Sequence, residues 1–248
     1  MSTAAATAFP RIDLLVAPRD ATELVLLAHG GQETSVDPAG AWRGAILRMW
    51  SFVPAARAGA PKAAIGLMRY RYRGWNGDAA DPVADLRMVL DQLPSRITRV
   101  LLIGHSLGGR AVVAAGNHPL VAGVLALAPW LPGGEPLVAL RGPVVFAHGT
   151  DDRITSPAQT AAYAKRLRAS GVPVALFAVD GDNHTMLKRS PDWNALVRDF
   201  TAGATAGLSL ETDRIDRLPH SKHPDSTRRG VLDIAKARLR YRSRPRFS

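Results

Sequence analysis

The hexapeptide GHSLGG, residues 104–109, places a serine between glycines directly after the apolar run VLLI. It contains the pattern Gly-x-Ser-x-Gly with Ser106 at its centre, and the helix-compatible run RAVVAAG follows. A strand, a sharp turn and a helix in this order expose the serine hydroxyl at the carboxyl end of the strand, and glycines let the turn pack closely. The pattern therefore predicts that Ser106 is a nucleophile, with a plain tight turn as the alternative.

A serine hydroxyl is a weak nucleophile until a general base takes its proton and an acid orients that base. His184 follows one apolar run across a short loop, and Asp151 and Asp152 follow the run before it. Because loops at the carboxyl ends of parallel strands converge on one crevice, we expect these groups to lie near Ser106. The residues themselves leave Asp151 and Asp152 open as the acid, and one of them is expected to cap the next helix.

The remaining histidines and one further aspartate are weaker candidates for these roles. His29 and His148 each precede a glycine at a strand end, which is typical of a packed turn. His105 is next to the serine, and neighbours on such an elbow are expected to point apart. Asp182, two residues before His184, is the weaker rival for the acid.

Short apolar runs alternate with longer amphipathic stretches through most of the chain. The apolar runs have strand length and occupy residues 12–17, 24–30, 64–72, 100–104, 124–128, 144–149 and 174–179. Helical stretches begin with a capping residue and a proline at Asp81-Pro82, Ser156-Pro157 and Ser190-Pro191. Strands that are apolar throughout suit burial on both faces of a parallel sheet. The alternation predicts an α/β fold, with a mostly parallel, doubly wound sheet and helices on both faces.

The chain resembles the α/β-hydrolase superfamily, and within it the compact serine esterases and dienelactone-hydrolase-like enzymes. The resemblance covers residues 10–203 and rests on AHGG at 28–31, GHSLGG at 104–109, HGTDDRI at 148–154 and GDNH at 181–184. It implies the chain order Ser, Asp, His and, from the pattern HG-x-x-D, Asp152 rather than Asp151 as the acid.

The resemblance also implies two backbone donors for an oxyanion. The N–H of Leu107 is the first, because it follows the nucleophile on the elbow. The second comes from AHGG and is assigned to Gly31, with Gly30 as the alternative donor and a simple Gly-rich turn as the alternative role.

The substrate pocket is predicted to be open. The 15 residues 129–143 are too few for a large cap domain between two strands. Trp130 and Trp75 follow strand ends and are candidates for substrate contact, although packing in the core is at least as good an explanation. The run RYRYR, residues 69–73, is interpreted as an exposed strand end, with a basic patch for an anionic substrate as the alternative.

Composition describes an ordinary globular protein of 248 residues, of which 46% are hydrophobic. It contains no cysteine, which excludes disulfides and cysteine metal sites and fits a cytoplasmic location. No apolar run approaches the roughly 18 residues that a membrane span needs. The start MSTAAATAFPR lacks the basic and apolar segments of a secretory signal.

About half of the net charge of +11 lies at the end of the chain, where residues 211–248 hold 11 Lys and Arg against 5 Asp and Glu. The strand–helix pattern stops near Thr201. We therefore expect a hydrolase domain over residues 1–203 and a linker with a basic C-terminal tail over 204–248. The tail is interpreted as a disordered, solubilising extension, and binding to nucleic acid or an anionic surface is the alternative.

These features predict a serine hydrolase that cleaves a carboxylic ester or thioester of a small-molecule substrate through an acyl-enzyme intermediate. Ser106, Asp152 and His184 form the expected triad, and neither a metal nor an organic cofactor is expected. The motifs do not separate ester hydrolysis from amide, peptide or C–C bond hydrolysis. A ligand-binding receptor or scaffold with little turnover is the alternative from another class, because a fold does not determine a function.

Overall fold

One eight-stranded sheet organises the computed structural model, which describes residues 9–38, 44–203 and 216–217. Its strands are β1 Arg11–Val16, β2 Glu23–Ala28, β3 Ala64–Arg69, β4 Arg99–His105, β5 Val121–Leu127, β6 Val144–Gly149, β7 Val174–Val179 and β8 Asp216–Arg217. Their order across the sheet is β1-β3-β2-β4-β5-β6-β7-β8. The strand β1 runs antiparallel to β3, and the other neighbours among these strands are parallel, which confirms the predicted mostly parallel sheet.

Six α-helices in the described residues cover both faces of the sheet. They are α1 Gly44–Trp50, α2 Val53–Gly59, α3 Asp81–Asp91, α4 Leu107–Ala114, α5 Pro157–Ala169 and α6 Ser190–Thr201. Helices α3, α4 and α5 pack on one face, and α1, α2 and α6 pack on the other. In β2, Leu24 and Leu26 face the first group and Val25 and Leu27 face the second, all fully buried. The doubly wound architecture follows from strands that are apolar on both sides.

Of the three predicted helix starts, the one at Ser156 is reproduced and two are corrected. Ser190 is the first residue of α6 and not its capping residue, because Arg189 precedes the helix. The hydroxyl of Ser156 accepts a hydrogen bond from the N–H of Gln159 at 3.2 Å, and Pro157 is the first residue of α5. The prediction that Asp81 caps α3 is wrong, because Ala80 precedes the helix with a φ of 43° and Asp81 is its first residue. The carboxylate of Asp81 instead accepts a hydrogen bond from the side chain of Asn76 at 2.8 Å.

The loop between β5 and β6 contains no helix or strand, so the described residues form no cap domain at that position. The two residues of β8 pair with β7, so the sheet continues beyond residue 203. The rest of the predicted tail, residues 204–215 and 218–248, lies outside the described residues. Among the described residues, no helix is both long enough and apolar enough to cross a membrane.

Each arginine of the run RYRYR contacts an aspartate. The pairs are Arg69 with Asp13, Arg71 with both Asp81 and Asp85, and Arg73 with Asp37. The side chain of Asp85 is fully buried, and it also accepts a hydrogen bond from the backbone N–H of Arg71 at 2.7 Å. The run therefore anchors the loop after β3 to α3, and its charges are balanced by neighbouring carboxylates.

We expect Arg71→Gln to lower the free energy of unfolding by about 2 kcal/mol, because the substitution leaves the buried charge of Asp85 without its ion partner. Urea unfolding measures the change. The exposed Arg57 of α2 offers a matched control, since Arg57→Gln removes the same charge from the surface. Equal stability of the two variants would contradict this assignment.

Candidate active site

Ser106 occupies the turn between β4 and α4 with a φ of 57° and a ψ of −121°. Residues other than glycine rarely adopt this backbone conformation, which costs about 1–3 kcal/mol. Hydrogen bonds at both ends hold the turn in place. The N–H of Ser106 donates to the carbonyl of Leu127 at 3.1 Å, and its carbonyl accepts from the N–H groups of Arg110 at 3.2 Å and Trp130 at 3.0 Å.

The glycines around Ser106 are required by close backbone contacts. A Cβ atom at position 104 would lie 2.2 Å from the carbonyl oxygen of Gly108. A Cβ atom at position 108 would lie 2.5 Å from the carbonyl oxygens of Ala28 and His29. Only glycine lets the start of α4 pack this closely against the ends of β4 and β2.

The structure brings Ser106, His184 and Asp152 into one chain of hydrogen bonds. The hydroxyl of Ser106 lies 3.0 Å from Nε2 of His184, and Nδ1 of the same ring lies 2.8 Å from Oδ2 of Asp152. The three residues follow β4, β6 and β7 at the carboxyl edge of the sheet. With the ring proton on Nδ1 and donated to Asp152, Nε2 is free to accept the hydroxyl proton of Ser106.

The carboxylate of Asp152 is buried and accepts hydrogen bonds on both oxygens. Oδ1 accepts from the backbone N–H groups of Ile154 at 2.8 Å and Thr155 at 3.0 Å. Oδ2 accepts from the hydroxyl of Thr155 at 2.9 Å, in addition to His184. Burial alone would raise the pKa of Asp152, but the hydrogen bonds from His148, His184 and these N–H groups outweigh it and hold the pKa far below its usual range. Asp152 therefore stays ionised beside His184.

His148 is a second histidine that contacts the same carboxylate. The sequence predicts a structural residue in a packed turn, and it does not predict this contact. Its Nε2 lies 3.2 Å from Oδ2 of Asp152, and its Nδ1 lies 2.9 Å from the hydroxyl of Thr160. The spacing of four residues to Asp152 in HGTDD is the one sequence signal that could have indicated this contact.

The rival acids point elsewhere. The side chain of Asp151 is 56% exposed, and its nearest cation is Lys188 at 3.9 Å. The carboxylate of Asp182 is buried, but it accepts hydrogen bonds from the indole N–H of Trp193 at 2.8 Å and the backbone N–H of Arg189 at 2.9 Å. These contacts orient the start of α6 and leave Asp152 as the carboxylate that reaches His184.

His29 matches its predicted structural role. Its Nδ1–H donates to the carbonyl of Gly30 at 2.7 Å, and its ring packs edge-on against Tyr70. Burial lowers the pKa of His29 to about 4, so the ring is neutral at physiological pH. It holds the shape of the AHGG loop next to Ser106.

The two expected oxyanion donors lie beside the nucleophile. Leu107 is the first residue of α4, and Gly31 lies in the loop after β2. Within the described part of the chain, neither backbone N–H donates to another residue. A Cβ atom at Gly31 would lie 3.2 Å from the Leu107 side chain and 2.2 Å from the carbonyl oxygen of Arg73, so this loop packs tightly against the elbow.

Ser106 and His184 open onto a pocket of about 320 Å³. It is also lined by Gly30 and Gly31, by Arg48 of α1 and by His105. The prediction that His105 points away is therefore wrong. Its ring lies 4.6 Å from that of His184, and its Nε2–H donates to the carbonyl of His184 at 3.1 Å. Sequence spacing predicted neither His105 nor Arg48 as a pocket residue. Arg48 could not be predicted because α1 reaches the site only through packing on the sheet face.

The predicted substrate-binding tryptophans contact a different partner. The guanidinium of Arg110 lies 3.7 Å from the ring centre of Trp75 and 4.7 Å from that of Trp130. Arg110 also forms a salt bridge with Glu135 at 2.7 Å. Neither indole lines the pocket that contains Ser106. The stacking on Arg110 accounts for the packing of both rings, and the assignment to substrate binding gains no support from it.

A second, larger pocket of about 600 Å³ lies between the loops that carry Asp152 and His184. The two pockets share His184 and Thr185, but Ser106 lines only the smaller one. No group of three or more His, Asp and Glu side chains within the described ranges has the arrangement of a metal site.

Residues 25–225 match the family model described as the alpha/beta hydrolase family. No curated protein matches the chain. Several hundred solved chains resemble the fold, and three of them illustrate the likeness. At the sequence identities involved, which lie below 20%, this likeness establishes the fold alone.

A putative α/β hydrolase from Agrobacterium tumefaciens is 13% identical with a TM-score of 0.62, over 82% of this chain and 94% of that chain. An α/β serine hydrolase without a lid from Xanthomonas campestris is 14% identical with a TM-score of 0.59, over 82% and 91%. The esterase domain of a Rhodothermus marinus protein is 19% identical with a TM-score of 0.52, over 79% and 91%.

The strained backbone of Ser106 predicts an unusual ranking of substitutions. We expect Ser106→Gly to be more stable than Ser106→Ala by about 1 kcal/mol, because relief of strain exceeds the extra entropy that glycine loses on folding. Thermal unfolding should show a difference of about 2–4 °C. Ser170 has a φ of −88°, so there the alanine variant should be at least as stable as the glycine variant. A more stable Ser106→Ala would contradict the strain.

The depressed pKa of Asp152 predicts a pH-dependent contribution to stability. An aspartate with a lowered pKa stabilises the fold above its unfolded pKa of about 3.9, and this contribution is lost as the pH falls below that value. We expect the stability difference between the wild type and Asp152→Asn to shrink by about 2 kcal/mol between pH 4 and pH 2.

Urea unfolding at a series of pH values measures this difference. Asp151→Asn serves as the control, because Asp151 is exposed and accepts none of these hydrogen bonds. A stability difference for Asp152→Asn that does not change with pH would show that the Asp152 carboxylate is not selectively stabilised in the folded state.

Proposed function

Because the chain belongs to the α/β hydrolase family, we propose that this hydrolase cleaves a carboxylic ester or thioester through a serine acyl-enzyme. The proposal is carried by one observation, the continuous hydrogen-bond chain from Ser106 through His184 to Asp152. Each member of this chain has the residue type and the geometry that its role in acyl transfer requires.

Ser106 acts as the nucleophile. Its hydroxyl oxygen attacks the substrate carbonyl carbon while its proton passes to Nε2 of His184, 3.0 Å away. Asp152 holds the imidazole with Nδ1 protonated and stabilises the imidazolium that forms. A carboxylate that stays ionised through the acidic range suits this role, because it favours the charged form of the neighbouring ring.

The backbone N–H groups of Leu107 and Gly31 stabilise the negative charge that develops on the carbonyl oxygen. Leu107 lies at the elbow and Gly31 in the loop after β2, and neither N–H has a partner within the described part of the chain. The N-terminus of α4 adds its partial positive charge, since the helix begins at Leu107. Donors that are already in place gain strength as charge develops and need no reorganisation during the reaction.

The tetrahedral intermediate collapses when His184 returns its proton to the leaving oxygen or sulfur, and the bond from the carbonyl carbon to the leaving group breaks. Ser106 is then acylated. A water molecule gives its proton to His184 and attacks the acyl carbon, and the return of that proton to Ser106 Oγ releases the acid. The side chains present complete both halves of the reaction.

An ester or thioester of modest size suits the shape of the site. The nucleophile opens onto a pocket of about 320 Å³, and the described loop between β5 and β6 forms no cap domain. The similarity to an esterase domain and to a serine hydrolase without a lid supports this assignment.

Hydrolysis of p-nitrophenyl butyrate and labelling by a fluorophosphonate test the proposal together. We expect Ser106→Ala to abolish labelling and to lower kcat by about 10⁶, and Asp152→Asn to lower kcat by about 10⁴. Asp151→Asn removes the adjacent exposed carboxylate and should retain near wild-type turnover.

The pattern of results separates the competing functions. If labelling depends on Ser106 and the enzyme hydrolyses amides but not esters, the assigned activity would be amide hydrolysis and not ester hydrolysis. If the folded wild type shows no labelling and no turnover, the result would favour a ligand-binding protein instead.

A further inference from the structure

Among the described residues, Arg48 is the one permanently charged side chain that lines the pocket containing Ser106 and His184. It belongs to α1, and the first two residues of that helix, Gly44 and Ala45, also line the pocket together with Gly30 and Gly31. The remaining pocket residues carry no negative charge. A cation therefore lines the same pocket as the reacting atoms, in a site that otherwise offers small apolar surfaces, two hydroxyls and two imidazoles.

The guanidinium of Arg48 has no carboxylate partner among the described residues, none of which places a carboxylate oxygen within 4.0 Å. The adjoining residues 39–43 read AGAWR and contain no acid. Asp182 attracts Arg48 at longer range, but its carboxylate already accepts hydrogen bonds from Trp193 and from the N–H groups of Arg189 and Asn183. Arg48 thus differs from Arg71 and Arg110, which contact carboxylates directly.

Arg48 is only partly hydrated. Its residue is half-buried, and burial lowers its pKa to about 10, with the charge of Asp182 acting in the opposite direction. The side chain consequently stays charged at neutral pH while it loses part of its hydration shell. A half-buried cation without a partner costs free energy, and an anion that enters the pocket would offset that cost.

The charges of the other pocket residues also favour binding of a singly charged anion. His105 lies against His184, and its pKa is held well below the usual range by burial first, then by His184 and by Arg48. His105 is therefore neutral and offers no second cation. One planar guanidinium matches a carboxylate, to which it donates two parallel hydrogen bonds, better than it matches a phosphate dianion, which calls for more positive charge.

We propose that Arg48 binds a free carboxylate of the substrate, so that the enzyme acts on esters or thioesters that carry a carboxylate in addition to the scissile bond. Monoesters of dicarboxylic acids and esters of carboxylated alcohols are the chemical classes that fit. This proposal rests on the proposed serine hydrolase function and narrows its substrate class. The net charge of +11 favours the approach of such anions.

Two matched pairs of esters test the proposal. Mono-p-nitrophenyl glutarate against p-nitrophenyl pentanoate places the carboxylate in the acyl chain, and 3-carboxyphenyl acetate against phenyl acetate places it in the leaving group. We expect the wild type to prefer the carboxylated ester of at least one pair by about 10–100-fold in kcat/KM, the range of a hydrogen bond to a charged group.

Three variants locate the origin of that preference. Arg48→Gln should bring the ratio of carboxylated to neutral ester close to one, and Arg48→Lys should restore part of it because the charge returns without the planar fork. Arg57→Gln changes the net charge equally from the exposed face of α2, and it should keep the wild-type ratio. Circular dichroism and the melting temperature show whether Arg48→Gln folds.

A second readout needs no turnover. Glutarate should slow fluorophosphonate labelling of Ser106 in the wild type and in Arg57→Gln, and much less in Arg48→Gln. This competition also keeps the test valid for Arg48→Lys if Arg48→Gln does not fold.

Equal rates on both pairs in the wild type, or a preference that survives in Arg48→Gln, would overturn the role of Arg48 while leaving the hydrolase function intact. A wild type that is folded but neither labelled at Ser106 nor active on any of the four esters would overturn both proposals together.

Discussion

The buried carboxylate of Asp152 is the constraint on which the arrangement of the site depends. A buried charge is tolerated only when hydrogen bonds replace its lost hydration. Here the donors are the rings of His184 and His148, the hydroxyl of Thr155 and two backbone N–H groups of the turn before α5. Because these groups belong to β6, to the loop after it and to the loop after β7, satisfying one carboxylate fixes the relative position of the two loops.

The nucleophile is held by a separate device. Ser106 keeps a strained backbone because backbone hydrogen bonds join its turn to Leu127 and Trp130. Glycines on either side of it allow α4 to pack against the ends of β4 and β2. The hydroxyl is thereby presented to a ring whose orientation the Asp152 carboxylate has already set. Two independent constraints, one electrostatic and one steric, meet at the 3.0 Å contact between Ser106 and His184.

Charge pairing distinguishes the arginines that build the fold from Arg48, which lines the pocket that contains Ser106. Arg71 anchors the loop after β3 to the buried Asp85, and Arg110 lies between two tryptophans and Glu135. Arg48 reaches the pocket without such a partner. The basic run that is conspicuous in the sequence is thus neutralised locally, and among the described residues Arg48 of the short helix α1 supplies the permanent positive charge of the pocket that contains Ser106.

The sequence by itself determined the fold class, most of the elements and the residue types near the reacting atoms. Apolar runs of strand length, proline-led helices and the Gly-x-Ser-x-Gly turn are local patterns, and local patterns report which strand end a residue follows. That is sufficient to expect Ser106, His184 and an aspartate after β6 at one edge of a parallel sheet.

Only the tertiary structure decided which side chains meet there. Asp151 and Asp152 are adjacent in sequence, yet one is exposed and the other is buried against two histidines, because their side chains leave the turn in different directions. The same applies to His105, which turns toward His184, and to Arg48, which arrives from a helix packed on the opposite face from α4. Side-chain direction and contacts between distant elements are set by packing across the sheet, and spacing along the chain carries no record of them.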